Sequence, residues 1–249
     1  MPLISQKMHN KKEWFQDWFD TPYYHTLYDH RNDDEAKLFM ENLIDFLQLK
    51  QSDKILDLPC GKGRHAVFLN EKGFDVVGAD LSVNSIDTAK SFENNTLRFS
   101  NHDMRQSLSG KYNAIFNLFT SFGYFNDDQT NINVLENFKK ALLPNGYIVI
   151  DFLNVKKVEK ELIPKEEFTK NGITFLITKH IANDFIIKDI YFEVDGKPHH
   201  FTEKVQCLHL GKLYEFAEKT NLKIQNIFGD YDLTPFDENK SDRLILILQ

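Results

Sequence analysis

The stretch Ile55-Leu-Asp-Leu-Pro-Cys-Gly-Lys-Gly-Arg-His-Ala66 places an acid, Asp57, just ahead of a Gly61-x-Gly63-x-x-Ala66 turn, and a second acid, Asp80, follows about 20 residues after the turn. Glycines let a main chain approach a nucleotide where a Cβ would intervene, and an acid ending the next strand is placed to accept ribose hydroxyls. The spacing satisfies the dinucleotide fingerprint. NAD or FAD, however, would bring a pyrophosphate to the turn, and an ionised Asp57 would repel it. S-adenosylmethionine (SAM) brings an ammonium and a sulfonium, for which the same Asp57 is a charge-assisted acceptor. Two plainer readings stand beside this one: Gly61 and Gly63 as ordinary turn glycines, and Asp80 as a helix cap, although Ser82 is the better cap.

These residues need elements to position them. Lys54 to Leu58 reads as a short apolar strand, Gly63 to Lys72 as a helix, Phe74 to Asp80 as a second strand and Val83 to Glu93 as a second helix, which is the βαβ pattern of a parallel sheet. Thr96 to Ser100, Ala114 to Leu118 and Tyr147 to Phe152 supply three more strands. A helix from Gln129 to Leu143 is closed by Pro144-Asn-Gly146, and Asp33 to Leu47 has apolar residues at helical spacing. From Phe168 to Val205, short runs of Ile, Phe, Thr and Val alternate with turns at Asn171-Gly172, Asn183-Asp184 and Asp195-Gly196, the pattern of an antiparallel meander. A helix from Leu210 to Thr220 and strands at Leu222 to Phe228 and Leu244 to Leu248 complete the chain. No helix joins the last two strands, so the final one is expected to run antiparallel to its neighbour.

The fold expected is therefore α/β: a seven-stranded Rossmann-like sheet with an antiparallel last strand, plus an inserted antiparallel β cap. Residues 1–153 and 208–249 form the core with an N-terminal helical lid, and 154–207 form the cap. Of 249 residues, 41% are apolar, enough for a substantial core, and the net charge of −7 argues against a broad nucleic-acid surface. Cys60 and Cys207 are too few for a disulfide framework, and Cys60 reads as a packing residue. His199 and His200 point to opposite faces of a strand, so no metal is expected. The sequence has neither a signal-peptide core nor an apolar run of membrane length, which predicts a soluble, cytoplasmic protein without membrane partners.

With Leu56-Asp-Leu-Pro-Cys-Gly-Lys-Gly63, Val77-Gly-Ala-Asp80-Leu-Ser, His102-Asp103-Met104-Arg105, Asn117-Leu-Phe-Thr-Ser-Phe-Gly-Tyr124 and Leu143-Pro-Asn-Gly146 in that order, the chain resembles class I SAM-dependent methyltransferases. Within them it is most similar to the small-molecule branch that includes sugar-amine N,N-dimethyltransferases. The resemblance implies that Asp57 and the backbone of Leu58, Pro59, Cys60 and Gly61 line the methionine part of SAM. It implies further that Asp80 accepts both ribose hydroxyls, Leu81 packs on adenine, Asp103 accepts from the adenine amino group, the Met104 amide meets a ring nitrogen and Leu118 gives a backbone contact. Pro59 departs from the family, which commonly has glycine there; the site then requires a negative φ and no donor at that position.

The aromatic stretch from Trp14 to Arg31 reads as a helix packed on the sheet or as a lid. Tyr24, Tyr28 and Arg31 fall at helical spacing, and the resemblance gives Arg31 the SAM carboxylate. Strand ends and cap converge on the sheet's C-terminal edge, which makes Tyr124, Asp151, Asn154 and His209 candidates to position or deprotonate an acceptor, with the His favoured as base. The sugar-amine enzymes carry His at the place of Tyr124. Acceptor choice is expected to lie in Phe168 to Val205 and in the loop Gly229 to Phe236, with Tyr231 and Phe236 lining a pocket whose mouth Asp151, Asp230 and Asp232 would make acidic. The function expected is methyl transfer from SAM to an N or O nucleophile of a small molecule, with S-adenosylhomocysteine as product. Nucleic-acid or protein methylation and non-catalytic SAM binding remain open alternatives, although Asn117-Leu-Phe-Thr is not the Asn/Asp-Pro-Pro-Tyr signature of enzymes that methylate planar amino groups. The oligomeric state is not legible.

Overall fold

A computed structural model describes residues 13–28 and 33–249. Two short helices, α1 (Trp14–Trp18) and α2 (Pro22–Tyr28), form an N-terminal arm, and α3 (Asp33–Leu47) leads into the sheet. The core then alternates: β1 (Lys54–Asp57), α4 (Arg64–Glu71), β2 (Asp75–Asp80), α5 (Val83–Ala89), β3 (Leu97–Asn101), β4 (Tyr112–Asn117), α6 (Asp128–Ala141) and β5 (Leu142–Leu153). After α7 (Val155–Glu161) come β6 (Lys165–Lys170), β7 (Ile173–Ala182), β8 (Phe185–Val194) and β9 (Lys197–Gln206), and α8 (Leu210–Lys219), β10 (Ile224–Phe228) and β11 (Arg243–Leu248) end the chain.

The main sheet has seven strands in the order β10-β11-β5-β4-β1-β2-β3. The strands β1 to β5 pair in parallel, and β11 slots between β5 and β10 antiparallel to both. Two antiparallel steps restore the direction of β10 to that of the parallel set, so the loop after β10 opens on the same edge as those after β1, β2 and β4. The central strands are apolar on both faces because helices cover both: Leu56, Ile115 and Ile150 face one cluster, Ile55, Phe116 and Val149 the other. The remaining strands, β6 to β9, form a separate antiparallel sheet. One face of that sheet, with Phe175, Ile177, Ile190 and Phe192, packs on Trp18 and Leu27 of the arm.

Four boundaries differ from expectation. The chain enters β5 at Leu142, so Pro144-Asn-Gly146 lies within the extended segment, where Asn145 takes a φ of 63°. The expected helix to Glu93 is α5 followed by a 3₁₀ turn at Lys90–Phe92. The inserted sheet begins at Lys165, since the charged strand Lys-Glu-Glu-Phe-Thr-Lys170 hid its pairing with β7. The helix α7 is additional and starts after Asn154, whose side chain makes no cap hydrogen bond. Among the described residues no helix is long and apolar enough to cross a membrane.

Candidate active site

Asn117 and Asp80 hold the glycine turn from opposite sides. The Asn117 Nδ2 donates to the Leu58 carbonyl at 2.8 Å, and the Leu58–Pro59 peptide is cis. Gly61 donates its N–H to Asp80 Oδ2 at 2.8 Å, and the Ser82 N–H donates to Asp80 Oδ1 at 2.8 Å. Ser82 itself caps α5, accepting from the Ser85 N–H, so the cap role does not fall to Asp80. Gly61 and Gly63 take φ of +55° and +86°. A Cβ on Gly63 would lie 2.6 Å from the Phe99 ring, whereas one on Gly61 would project into open space. Glycine at 63 is thus required by packing and by φ; at 61 it keeps the cavity clear.

That cavity, of about 990 Å³, is lined by the turn from Leu58 to Gly61, by Asp80, Leu81, Asp103, Met104 and Leu118, and by Tyr24 and Tyr28 of the arm. Burial raises the pKa of Asp80 and the N–H groups of Ser82, Gly61 and Leu81 counter it, which leaves a fixed, acceptor-rich carboxyl at the cavity wall. Burial also pushes Asp103 up, but Arg105 outweighs it through hydrogen bonds and charge, and the net pKa lies below the usual carboxylate range. Both Asp103 oxygens already receive the Arg105 guanidinium. His102 Nε2, by contrast, is buried beside the same cavity without a partner among the described residues.

Asp57 occupies a layer beneath the wall. It is 1% exposed, does not line the cavity, and its Oδ2 has no partner among the described residues. Burial first and the nearby Asp80 second push its pKa up to about 8. Cys60 is buried below the turn and burial raises its thiol pKa, which agrees with a packing role.

A second cavity of about 430 Å³ adjoins the first, and Phe119 and Tyr124 line both. Phe119 and Thr120 follow β4 with φ of 57° and 59°, a strained conformation for non-glycine residues and most of all for a β-branched one. Asp151 holds this turn: its Oδ2 accepts the Phe119 N–H at 2.7 Å and its backbone carbonyl accepts the Thr120 N–H at 2.9 Å. Its Oδ1 accepts Arg243 Nε at 2.7 Å, and Arg243 Nη2 donates to Thr120 Oγ1 at 2.9 Å. The far wall comes from the inserted sheet, with Lys179, Ile186, Lys188, Glu203 and Val205, and Tyr231 closes one side.

The arm is fastened over the larger cavity. Trp18 Nε1 and the Tyr28 hydroxyl donate to Glu203 Oε1 at 2.7 Å each, Arg105 pairs with Glu13 at 2.7 Å, and Asp20 accepts from Ser82 and Asn84 at 2.6 and 2.7 Å. Sequence reasoning missed Asp20, Glu13, Glu203 and Arg243. The signal for Arg243 was a lone cation opening an otherwise apolar strand, Arg243-Leu-Ile-Leu-Ile-Leu.

Several expected site residues lie elsewhere. His209, with a side chain 44% exposed, flanks α8 and pairs with Glu159 at 3.3 Å, outside both cavities. A base role for it finds no support, because the chain turns it outward where β9 leaves the inserted sheet. Asn154 is buried, spending its amide on the Glu238 and Ser241 carbonyls. Phe236 packs on the core and lines neither cavity. The acidic mouth is a correction: Asp151 is buried against Arg243, Asp230 accepts from Thr234 within its own loop, and neither Asp230 nor Asp232 lines the cavity. Arg31 lies outside the described residues. Among these no cluster of His, Cys, Asp and Glu could hold a metal ion.

Residues 49–203, more than half of the chain, match the family model described as "Methyltransferase domain". The chain belongs to this methyltransferase family. It is 35% identical over 130 residues to a glycine/sarcosine N-methyltransferase of Halorhodospira halochloris, covering 49% of this chain and 48% of the relative. It is 28% identical over 103 residues to the dTDP-3-amino-3,4,6-trideoxy-alpha-D-glucopyranose N,N-dimethyltransferase of Streptomyces venezuelae, covering 41% and 43% of the two chains. Such matches span about half the length of these curated relatives. A SAM-dependent methyltransferase of Clostridium acetobutylicum has the same fold, with a TM-score of 0.78 at 16% identity and coverage of 91% and 95%. The chain thus has the fold of class I methyltransferases. The larger cavity fits SAM on two observations, the open space at the Gly61 Cβ position and the pinned Asp80 carboxyl at the wall.

Proposed function

We propose that this domain transfers a methyl group from SAM to the nitrogen of a small amine held in the smaller cavity. The observation that carries the reading is the meeting of two cavities at Phe119 and Tyr124, one walled by the glycine turn and Asp80, the other closed off by the inserted sheet. The N-methyltransferase names of the relatives support nitrogen as the attacking atom.

On this reading Asp80 accepts the ribose hydroxyls, and Leu58, Pro59, Cys60 and Gly61 flank the methionine part. Leu81, Met104, Asp103 and Leu118 frame the adenine end; Tyr28 covers the cofactor and Tyr24 closes the edge. SAM, when bound, supplies a methyl carbon already activated by its sulfonium. The chain has to align a neutral amine, exclude water and let the product's proton leave. Tyr124 positions the acceptor: its hydroxyl is spent on the Thr120 carbonyl, which fixes the ring at the junction. Among the described residues no histidine lines the smaller cavity, and on this reading the amine arrives deprotonated from solvent.

The test is S-adenosylhomocysteine release with a panel of small primary and secondary amines. Rates should rise with pH through the amine's own pKa and saturate above it. Failure of every small amine, with turnover of an RNA or protein substrate instead, would defeat the reading.

A further inference from the structure

Most of the charged wall of the smaller cavity is self-satisfied; among the described residues the exception on the acidic side is Glu35 of α3, exposed at the rim with no hydrogen bond or ion pair. Lys179 pairs with Glu166 at 2.7 Å. Glu203 receives Trp18 Nε1 and the Tyr28 hydroxyl, with Lys188 Nζ 3.7 Å from its other oxygen. Glu203, the acid inside the cavity, is already filled by donors and is a poor partner for an incoming ammonium, which leaves only the exposed Glu35 at the rim to attract one.

Arg243 differs. Its Nε is spent on buried Asp151 and its Nη2 on Thr120, while among the described residues no hydrogen bond or ion pair engages Nη1. Asp151 does not line the cavity, and both of its oxygens are taken, Oδ2 by the Phe119 N–H and, at 3.4 Å, by the Tyr231 hydroxyl. The counterion therefore lies behind the guanidinium, and the cavity meets the cation's donor edge. Tyr231 stands beside it, with Arg243 5.7 Å from its ring centroid; burial, then Asp151, raise its pKa, so its hydroxyl remains a donor. A planar guanidinium fixed by two bonds is preorganised for an oxyanion. The bonded Thr120 follows Phe119, which lines both cavities, so this donor edge is next to the methyl-transfer junction.

We propose that the smaller cavity binds an acceptor carrying an oxyanion, a carboxylate or a phosphate, on Arg243 Nη1, with the Tyr231 hydroxyl exchanging its long 3.4 Å bond to Asp151 for the oxyanion and the amine turned to the Phe119–Tyr124 junction. The placement of the amine rests on the transfer reading above; the anion site does not.

The test is calorimetric titration of the protein, saturated with S-adenosylhomocysteine, with acetate, inorganic phosphate and methylammonium, together with turnover of glycine and of methylamine. One equivalent of acetate or phosphate should bind, and the stronger of the two identifies the anion, while methylammonium should not compete. Arg243→Lys should weaken that binding at least tenfold and Tyr231→Phe several-fold, with S-adenosylhomocysteine affinity unchanged. Should Arg243→Lys fail to fold, Tyr231→Phe and the wild-type titrations decide. Preferential binding of methylammonium, absence of oxyanion binding, or oxyanion binding untouched in the folded variants would overturn the inference. Methylamine turned over as well as glycine would overturn it and leave the transfer reading standing. Arg243-dependent anion binding with no amine turned over would do the reverse.

Discussion

Asp80 is half-buried at a cavity wall and Asp57 fully buried behind it, and the two differ in what their oxygens touch. Asp80 is pinned by two N–H groups at a cavity wall, so Asp80→Ala removes an acceptor for ribose hydroxyls and should weaken SAM binding by roughly 1.5 to 3 kcal/mol for each charged hydrogen bond lost. Isothermal titration checks this, and unchanged affinity in a folded variant would assign Asp80 a purely structural role. Asp57 lies behind the wall, where the Ala66 N–H only partly offsets burial, and its pKa is raised to about 8. In the unfolded chain an aspartate ionises near pH 4, so between about pH 4 and 8 the folded state binds the extra proton. Stability should therefore be fully present at the acid end of that window, fall as pH rises through it, and level off above. Urea midpoints at pH 5, 7 and 9 measure the trend, and Asp57→Asn should flatten it. Asp151 holds the strained Phe119-Thr120 turn and the Arg243 guanidinium; Asp151→Ala should cost about 3 to 5 kcal/mol by leaving a buried cation unpaired. The glycine turn and Asp80 were legible because spacing along one βαβ unit fixes them. Asp151 was legible as a residue of interest but not as a clamp, because its partners are 32 and 92 positions away.

The elements were readable where period and length agree. The absence of a helix between β10 and β11 announced an antiparallel final strand, and the structure inserts that strand between β5 and β10. What the chain did not disclose was how the inserted sheet faces the core. Alternation along β9 puts Phe201, Glu203 and Val205 on one face, but only the fold brings Glu203 to Trp18 and Tyr28, 185 and 175 positions away. This contact ties the arm to the acceptor-side sheet across the mouth of the larger cavity. Glu203→Gln weakens it from charged to neutral acceptance and leaves Lys188, whose pKa burial already lowers, without its counterion. We expect faster SAM dissociation, by about tenfold if one charged bond's worth of closure is lost, and faster proteolysis near residues 13–28, with the core's thermal transition little changed. Unaltered dissociation would show that the clasp fastens the arm without governing cofactor exchange.

At the scale of the molecule, one sheet edge gathers the loops after β1, β2 and β4, and a second sheet covers the space beside them. The result is two adjoining cavities with Phe119 and Tyr124 in the walls of both. The smaller, at about 430 Å³, has the size of a small-ligand pocket. Cofactor binding should stabilise the whole domain, by about 2.7 kcal/mol at 100 times the dissociation constant, and NAD should give no such gain. The most direct measurement is methyl transfer itself: incubation with SAM labelled in its methyl group and a panel of small amines, with the products resolved by mass. The expected result is one labelled methyl on the nitrogen of a small amine for each S-adenosylhomocysteine formed, abolished when Tyr124→Ala opens the junction in a variant that still binds SAM. Binding of SAM with no label on any small amine, and the label found instead on a nucleic acid or protein, would contradict the account.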